Sequence, residues 1–210
     1  MASTDNPTAS GVPGTQGYAA LAAALVARWE QISSAEHHGA VMHLMPRAPA
    51  DVLDIGAGSG RDAAWLAAMG HRVVAVEPLD AFRHAGMALH RAQPIDWRDD
   101  SLPDLATFSE DRSFDLVMLS AVWMHLAADE RCRAMPRIAA LLKTGGTLIL
   151  SLRHGPVPDG RRMFVVSAED TVALARAAGL RPRLALTTAS TQPANRHAGV
   201  TWTRLAFARD

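Results

Sequence analysis

A cluster of glycines separates a short apolar run from a helix-like segment near residue 56. Gly56, Gly58 and Gly60 alternate with other residues, and Asp54 stands two positions before the first of them. Glycines let the backbone turn tightly and approach a ligand closely, and the N-terminus of the following helix offers free N–H groups. A dinucleotide site has the spacing G-x-G-x-x-G, whereas here Arg61 occupies the third glycine's place. Because Asp54 suits a pyrophosphate badly, the cluster favours a ligand with a positive amino group, with a plain turn as the alternative.

Carboxylates follow the next two predicted strands. Glu77 lies 23 residues after Asp54, which is the usual reach of a carboxylate that binds ribose hydroxyls. Residues 99–102 begin with two aspartates and can accept from an exocyclic amine and stack on a base. An ammonium, a ribose and an adenine together fit S-adenosylmethionine better than a nicotinamide cofactor.

Two histidines follow later strands and are candidates for a general base. His125 comes after the fourth predicted strand and His154 after the fifth. Such a base is needed only if the molecule that reacts with the cofactor, called the acceptor below, must lose a proton as it attacks. A packed or helix-capping histidine is the alternative in both cases. The neighbouring His37 and His38 lack further side chains with ligand spacing, so we predict no metal site.

Arginines and one tryptophan are candidates for contacts with the acceptor. Arg153, Arg161 and Arg162 surround a Pro- and Gly-rich loop, residues 154–160. A guanidinium cluster there could receive a carboxylate or a phosphate, and a solvated basic loop is the alternative. Trp29 could form an apolar wall of the site or belong to the core.

The elements that position these residues follow from the hydrophobic pattern. We predict strands at residues 51–55, 72–76, 94–97, 114–120 and 146–151, and helices at residues 62–69, 80–91, 129–143 and 171–178, with a break at Pro136. Continuous apolar strands separated by helices indicate a doubly wound, Rossmann-like α/β sheet with helices on both faces. Residues 183–188 and 200–208 are also β-rich, and with no helix expected between them they favour an antiparallel pair.

The chain before residue 47 divides into two parts. Residues 1–16 are rich in Ser, Thr, Gly and Pro, which predicts a flexible N-terminal tail. Within residues 17–46, apolar residues recur at steps of three and four from Tyr18, which predicts an amphipathic helix, and a second helix is expected at residues 34–44. We expect Tyr18 mainly in the core. Residues 47–210 then form one domain.

Composition excludes several classes of protein. The 210 residues carry 21 basic and 21 acidic side chains, so no global field gathers nucleic acid or acidic lipid. Within this balance, residues 151–210 carry 9 basic and 4 acidic side chains. Cys132 is the single cysteine, which permits no intramolecular disulfide and fits a cytoplasmic location. No run of apolar residues is long enough for a membrane span, and nothing predicts the oligomeric state.

Four motifs in order resemble those of the class I S-adenosylmethionine-dependent methyltransferases. They are residues 52–60, residues 73–78, residues 114–117, and residues 141–146 before a strand. The resemblance covers about residues 50–155. It implies a seven-stranded, mostly parallel sheet with an antiparallel last strand, and it implies that residues 17–46 form an N-terminal helical lid. Thr144 replaces the family's usual proline, and residues 119–122 replace the Asn-Pro-Pro-Tyr type motif of amino-group methylases.

The resemblance also assigns roles to individual residues. The cofactor-binding residues that it implies, together with those inferred above, are Asp54, Gly56, Ala57, Gly58, Gly60, Glu77, Pro78, Asp99, Asp100, Ser101, Leu102 and Ser120. Residues 120–125 would flank the methyl group, which makes Trp123 a candidate for substrate contact beside Trp29 and the three arginines.

The leading hypothesis is a methyltransferase that moves a methyl group from S-adenosylmethionine to a small-molecule acceptor by in-line displacement, leaving S-adenosylhomocysteine. One alternative is an RNA or protein methyltransferase that uses the basic C-terminal third, although nucleic acid and membrane are not the expected partners. Another is a cofactor-binding protein without catalysis. A nicotinamide-dependent oxidoreductase is disfavoured by the glycine spacing.

Overall fold

A seven-stranded sheet forms the centre of the computed structural model, which describes residues 11–109 and 111–210. The strands are β1 (Asp51–Ile55), β2 (Arg72–Val76), β3 (Ile95–Arg98), β4 (Phe114–Leu119), β5 (Leu142–His154), β6 (Leu180–Ala189) and β7 (Thr201–Arg209). They lie in the order β3-β2-β1-β4-β5-β7-β6. β1 to β5 pair in parallel, whereas β7 runs antiparallel to both β5 and β6. The predicted mostly parallel sheet with an antiparallel last strand is confirmed.

Helices connect the strands and cover the sheet. They are α1 (Ala22–Trp29), α2 (Ser34–His38), α3 (Arg61–Ala68), α4 (Asp80–Leu89), α5 (Ala128–Ala140), α6 (Ala168–Ala177) and α7 (Pro193–His197), with short 3-10 turns at Ala19–Leu21, Met42–Leu44 and Trp123–His125. The helix expected over residues 34–44 is therefore two shorter pieces.

Two predictions about helices were wrong. α5 continues through Pro136, where we expected a break, and the buried side chains of Met135 and Ile138 hold this helix in the core. The missing proline N–H removes one helical hydrogen bond, which this packing outweighs. α7 lies between β6 and β7, where no helix was expected, because Pro193 stands at its first turn and starts it.

Successive residues of β1 serve opposite faces of the sheet. Val52 and Leu53 are both fully buried, yet they belong to different hydrophobic clusters. The cluster around Leu53 includes residues of α5 and α6, and the cluster around Val52 includes residues of α3. Side chains of a strand alternate between faces, so a strand buried on both sides must be apolar throughout.

The strand order reverses between β1 and β4, because β2 and β3 lie on one side of β1 while β4 and β5 lie on the other. Open α/β sheets bind ligands in the crevice outside the carboxyl ends of strands at such a switch point. The residues singled out from the sequence follow β1, β2, β3, β4 and β5, and the fold therefore brings most of them to one edge.

Among the described residues, no helix has the length and apolar character needed to cross a membrane.

Candidate functional site

A cavity of about 500 Å³ opens at the carboxyl edge of the sheet. Its volume lies within the roughly 300–1,000 Å³ of small-molecule sites. The predicted site residues on its wall are Trp29, Asp54, Gly56, Ala57, Gly58, Glu77, Pro78, Asp100, Ser101, Leu102, Ser120, His125, Arg153 and Arg161. Residues from the five segments that follow β1 to β5, from α1, and from the ends of β1 and β5 thus converge on one space.

The glycine cluster forms a tight turn fastened to β2. The backbone N–H groups of Gly56 and Ala57 both donate to the carbonyl oxygen of Val76, at 2.8 and 2.9 Å. Gly56 has a φ of 71°, and a Cβ there would lie 2.5 Å from Cγ2 of Val122. Both the left-handed backbone and the close neighbour exclude a larger residue, so the turn requires glycine at this position.

Gly58 brings the turn against α1. Its φ is 59°, and a Cβ there would lie 3.1 Å from Cζ3 of Trp29. The ring of Trp29 packs at 4.9 Å between centroids against Phe82 on α4. A bare backbone at Gly58 is what lets the α1 tryptophan lie over the end of β1.

Asp54 presents a buried carboxyl group without a full set of partners. The residue is 2% exposed, and its Oδ2 atom has no hydrogen-bond partner. Burial raises the pKa of Asp54 to about 8, with the nearby carboxyl groups of Asp62 and Glu77 adding to the rise. A buried carboxyl oxygen that lacks a donor favours a ligand that supplies one.

Glu77 is also buried, but both of its oxygens are engaged. Oε2 accepts from the N–H of Gly58 and Oε1 accepts from the N–H of Leu79, each at 2.8 Å. Burial outweighs these two hydrogen bonds and raises the pKa of Glu77 to about 7. Each carboxylate oxygen has a further lone pair, so the group can still accept from a ligand hydroxyl at the end of β2.

The loop after β3 is organised by Asp100. Its Oδ1 accepts from the N–H of Ser101 at 2.8 Å, and its Oδ2 accepts from the N–H and hydroxyl of Thr107 at 2.8 and 2.5 Å. Asp100 therefore lines the cavity while it also holds the loop that carries Ser101 and Leu102 to the wall. Leu102 is 4% exposed and adds an apolar surface beside Pro78.

Tyr18 and His125 form a hydrogen-bonded pair on the cavity wall. The Tyr18 hydroxyl lies 3.0 Å from Nε2 of His125, and Nδ1 of His125 lies 2.7 Å from the carbonyl oxygen of Arg162. A carbonyl only accepts, so Nδ1 carries a proton and Nε2 of the neutral ring accepts from Tyr18. Burial lowers the pKa of His125, and the guanidinium groups of Arg161 and Arg153 lower it further. Burial also raises the pKa of Tyr18.

Two guanidinium groups reach the cavity wall from the end of β5 and from the loop that follows it. Arg161 stacks on Tyr18, with Cζ 3.3 Å from the ring centroid. Arg153 stands near the end of β5 and donates through Nη1 to the carbonyl oxygen of Pro156 at 2.6 Å. The positive charges of both groups act to lower the pKa of Tyr18, against the larger effect of burial, which raises it.

Asp62 of α3 fastens the N-terminal helix α2. Its carboxylate accepts from the hydroxyl of Ser34 at 2.6 Å, lies 2.9 Å from Nε2 of His38, and accepts from Nε of Arg61 at 2.9 Å. Ser34 and His38 belong to α2 while Asp62 belongs to α3, so this buried network ties the two elements together. A second tie joins Arg28 of α1 to the side chain of Gln192.

The N-terminal segment reaches further into the site than the predicted boundary at residue 16. Residues 1–10 of the predicted flexible tail lie outside the described residues. Val12, Pro13, Gly14 and Thr15 line the cavity. A Cβ at Gly14 would lie 2.9 Å from Cβ of His125, which shows how closely this segment packs on the histidine.

Five predicted site residues do not line the cavity. Trp123 is fully buried in the core, and His154 turns to β7, where Nε2 lies 2.8 Å from the hydroxyl of Thr203. Asp99 pairs with Arg83 at 3.3 Å, and its side chain is 68% exposed.

The other two residues, Gly60 and Arg162, contact elements that carry residues of the cavity wall. Gly60 caps α3 with a φ of 79°, and a Cβ there would lie 2.4 Å from the ring of Trp97. Arg162 donates through Nη1 to the carbonyl oxygen of His125 at 2.8 Å and to Glu130 at 2.9 Å. Arg162 therefore positions the loop of His125 and is not on the cavity wall.

Sequence reasoning missed several residues on the wall. Tyr18, expected mainly in the core, faces the cavity, and Arg61, noted only as a departure from a glycine pattern, lines it as well. Gln192 and Asn195 approach from the segment before β7, which was not expected to reach the site. Tyr18 falls on the same helical stripe as the core residues, so no feature of its spacing separates the two locations.

Within the described residues, no group of three or more His, Cys, Asp or Glu side chains is arranged to hold a metal ion.

Comparison with known families gives a match that spans the sheet's central strands. Residues 53–150 match the family model described as a methyltransferase domain. Uncharacterized methyltransferases of Mycobacterium tuberculosis and Mycobacterium bovis are 33% identical over 113 residues. That match covers 52% of this chain and 42% of each relative, so the chain matches less than half of their length.

Solved structures extend the likeness to nearly the whole chain. The Burkholderia thailandensis 1,6-didemethyltoxoflavin-N1-methyltransferase, with its substrate and S-adenosylhomocysteine bound, has a TM-score of 0.70 at 24% identity and covers 98% of this chain and 92% of its own. The N-methyltransferase NodS of Bradyrhizobium japonicum, in complex with S-adenosylhomocysteine, has a TM-score of 0.65 at 15% identity, with coverage of 90% and 98%. At these identities the comparison shows the shared fold.

Proposed function

We propose that the protein transfers a methyl group from S-adenosylmethionine to a small-molecule acceptor, because residues 53–150 match a methyltransferase domain and the chain shares the fold of solved methyltransferases. The single observation that carries the proposal is the unpartnered Oδ2 of Asp54 on the cavity wall beside the glycine turn. A ligand ammonium would supply the missing donor and favour the ionised carboxylate.

The residues of the cavity fit this cofactor. Gly56 and Gly58 present bare backbone on the cavity wall, so the methionine portion can approach that backbone closely. Glu77 stands at the end of β2 with lone pairs free for ribose hydroxyls. Pro78 and Leu102 offer apolar surface for the adenine. Ser120 would close the methionine side.

The cofactor, when bound, supplies an activated sulfonium methyl group, so the protein's task is alignment and exclusion of water. Trp29 covers the glycine turn, and residues 12–15 cover the space beside His125. Trp29 and residues 12–15 would shield the methyl transfer from solvent.

For an acceptor that must lose a proton, the Tyr18 and His125 pair is the proposed base. Nε2 of the neutral His125 accepts a hydrogen bond from the Tyr18 hydroxyl. A proton that leaves the acceptor can therefore pass to the Tyr18 oxygen while the hydroxyl proton of Tyr18 moves to His125. The lowered pKa of His125 keeps the ring neutral, and hence able to accept, at neutral pH.

The contacts of three arginines in the basic C-terminal third favour a small acceptor. Arg209 donates to carbonyl oxygens of residues 139, 140 and 142, Arg204 donates to Thr188 and to the carbonyl oxygen of His37, and Arg181 pairs with Asp210. These arginines support the fold, which leaves less charge free for a polyanion. Two structural neighbours are N-methyltransferases, one of them with a small substrate bound.

Isothermal titration of the purified protein with S-adenosylhomocysteine tests the proposal. We expect saturable binding at one site, and NADH titrated under the same conditions should give none. Absence of heat with both S-adenosylmethionine and S-adenosylhomocysteine would remove the proposed function. A screen of acceptors against labelled methyl donor then separates an enzyme from a cofactor-binding protein without catalysis.

A further inference from the structure

Ionisable side chains reach the cavity wall from two groups of elements. The carboxyl groups of Asp54 and Glu77 lie at the glycine turn, whereas the guanidinium groups of Arg153 and Arg161 come from the end of β5 and the loop that follows it. The proposed cofactor uses the carboxyl groups. The guanidinium groups are left for whatever binds beside it.

Tyr18 contacts two aromatic rings of the cavity wall and also Arg161. Its ring packs edge-on against Phe82, at 6.0 Å between centroids, and against Trp29 at 6.4 Å. Arg161 stacks on the same ring at 3.3 Å. The hydroxyl of Tyr18 points to His125. A molecule held by Arg161 therefore lies next to the pair proposed to receive a proton.

Arg161 lacks the partners that a buried guanidinium normally has. Its Nη1 atom is buried and makes no hydrogen bond, and among the described residues no carboxylate forms an ion pair with it. The stacking on Tyr18 holds the guanidinium plane in place, while Nη1 is left without an acceptor. Leaving such a donor unsatisfied costs free energy that an anion would recover.

Arg153 is in a similar situation. It makes one hydrogen bond, to the carbonyl oxygen of Pro156, and no described carboxylate pairs with it. Asp159 also lines the cavity, yet none of the ion pairs in the described part of the chain includes it. Two guanidinium groups without carboxylate partners on a cavity wall offer the fork geometry that matches a carboxylate or a phosphate.

We propose that the methyl acceptor carries an anionic group, a carboxylate or a phosphate, that binds between Arg153 and Arg161. This inference rests on the proposed function, since it assigns the acceptor's end of the same cavity. The anionic group fixes the acceptor against Tyr18, so that the atom to be methylated faces the cofactor's end while its proton faces the Tyr18 hydroxyl.

The test uses small probes in two steps. The protein is first saturated with S-adenosylhomocysteine, and this titration alone decides the proposed function. Benzoate, inorganic phosphate and the neutral isostere benzamide are then titrated into the complex. We expect benzoate or phosphate to bind and benzamide to bind at least about tenfold more weakly, and the tighter of the two anions identifies the group.

Variants locate the site. Arg153→Gln and Arg161→Gln should each weaken anion binding about tenfold or more while leaving S-adenosylhomocysteine bound, and Arg161→Lys should restore part of the loss. Arg176→Gln, which removes the same charge from an exposed position of α6, is the matched control and should change nothing. If benzamide binds as tightly as benzoate, if neither anion binds, or if both glutamine variants bind anions normally, the inference is wrong even though the cofactor binds.

Discussion

The hydroxyl oxygen of Tyr18 lies 3.0 Å from Nε2 of His125, although 107 positions separate the two residues in the chain. The carbonyl oxygen of Arg162 fixes the opposite ring nitrogen of His125, at 2.7 Å. Three distant segments thus determine one tautomer of one histidine. These two contacts support the pair as the proposed base, and they lead to the first two predictions.

Replacement of Tyr18 should change how His125 titrates. In the wild type, the pKa of His125 lies below 6.5 because burial disfavours the charged ring. The Tyr18 hydroxyl donates to the neutral ring, so Tyr18→Phe should raise the pKa towards 6.5 without exposing the histidine. Nuclear magnetic resonance titration of the imidazole signals measures this directly. An unchanged or lower pKa in Tyr18→Phe would show that the hydroxyl does not hold the neutral form.

The same substitution should affect transfer more than binding. With an acceptor that loses a proton, Tyr18→Phe and His125→Gln should each lower kcat by about 10²-fold or more, while the affinity for S-adenosylhomocysteine stays within about twofold. Wild-type activity should fall as the pH drops through the lowered pKa of His125, because the charged ring cannot accept a proton. Full activity of both variants at neutral pH would exclude the pair as the base.

Asp54 and Glu77 should recognise different parts of the cofactor. Asp54→Asn should weaken binding of S-adenosylhomocysteine about tenfold or more but leave 5′-methylthioadenosine, which lacks the amino acid group, unaffected. Glu77→Gln should weaken both ligands by similar factors, because ribose is common to them. Calorimetry with the two ligands measures all four affinities. Equal losses of both ligands in Asp54→Asn would assign that carboxylate to another part of the cofactor.

The contribution of Asp54 to the stability of the unliganded protein should fall as the pH rises, against the opposite contribution of His37, whose pKa burial lowers to about 4. The pKa of Asp54 is raised from 3.8 to about 8 in the fold, so the folded state holds a proton that the unfolded chain releases above pH 4. This contribution is complete below about pH 4 and is lost as the pH rises towards 8, and Glu77 adds the same sign between 4.5 and about 7. Asp54→Asn should flatten the dependence. Urea unfolding of both proteins at pH 5 and pH 8 provides the measurement. If the wild type gains stability from pH 5 to pH 8 and Asp54→Asn does not, Asp54 is not protonated in the fold.

Gly56 should tolerate no side chain. Gly56→Ala combines a left-handed φ with a Cβ 2.5 Å from Val122, and we expect it to destabilise the protein by about 1–3 kcal/mol. The double variant Gly56→Ala with Val122→Ala should remove the steric part alone and recover less than the full loss relative to Val122→Ala. Thermal unfolding of the four proteins gives both parts. Complete recovery would mean that the backbone conformation costs nothing.

Local chemistry made part of the site predictable. The glycine turn, Asp54 and Glu77 follow strand ends directly, and the parallel order of β1 and β2 places both ends at the same edge. A single sequence does not show which of the residues near the end of a strand have side chains that point into the cavity. Arg153 and His154 are consecutive in β5, so their side chains point to opposite faces, and only Arg153 lines the cavity.

Similar geometry separates Trp123 from His125. Both lie in one 3-10 turn, where each residue is rotated by about a third of a turn from the last. Trp123 therefore points into the core while His125 points to the cavity, although the sequence places both after β4. Tyr18 combines the two locations, since it packs against the buried cluster that contains Phe82 and also lines the cavity.

The contact between Trp29 and Gly58 has a consequence for turnover. The ring that covers the glycine turn belongs to α1, and the neighbouring Arg28 joins this helix to Gln192 on the far side of the opening. For the proposed methyltransferase, we expect the spent cofactor to leave more readily when these two contacts open. We therefore expect departure of S-adenosylhomocysteine to limit the steady-state rate, and accumulation of product on the protein to appear as a burst in the first turnover.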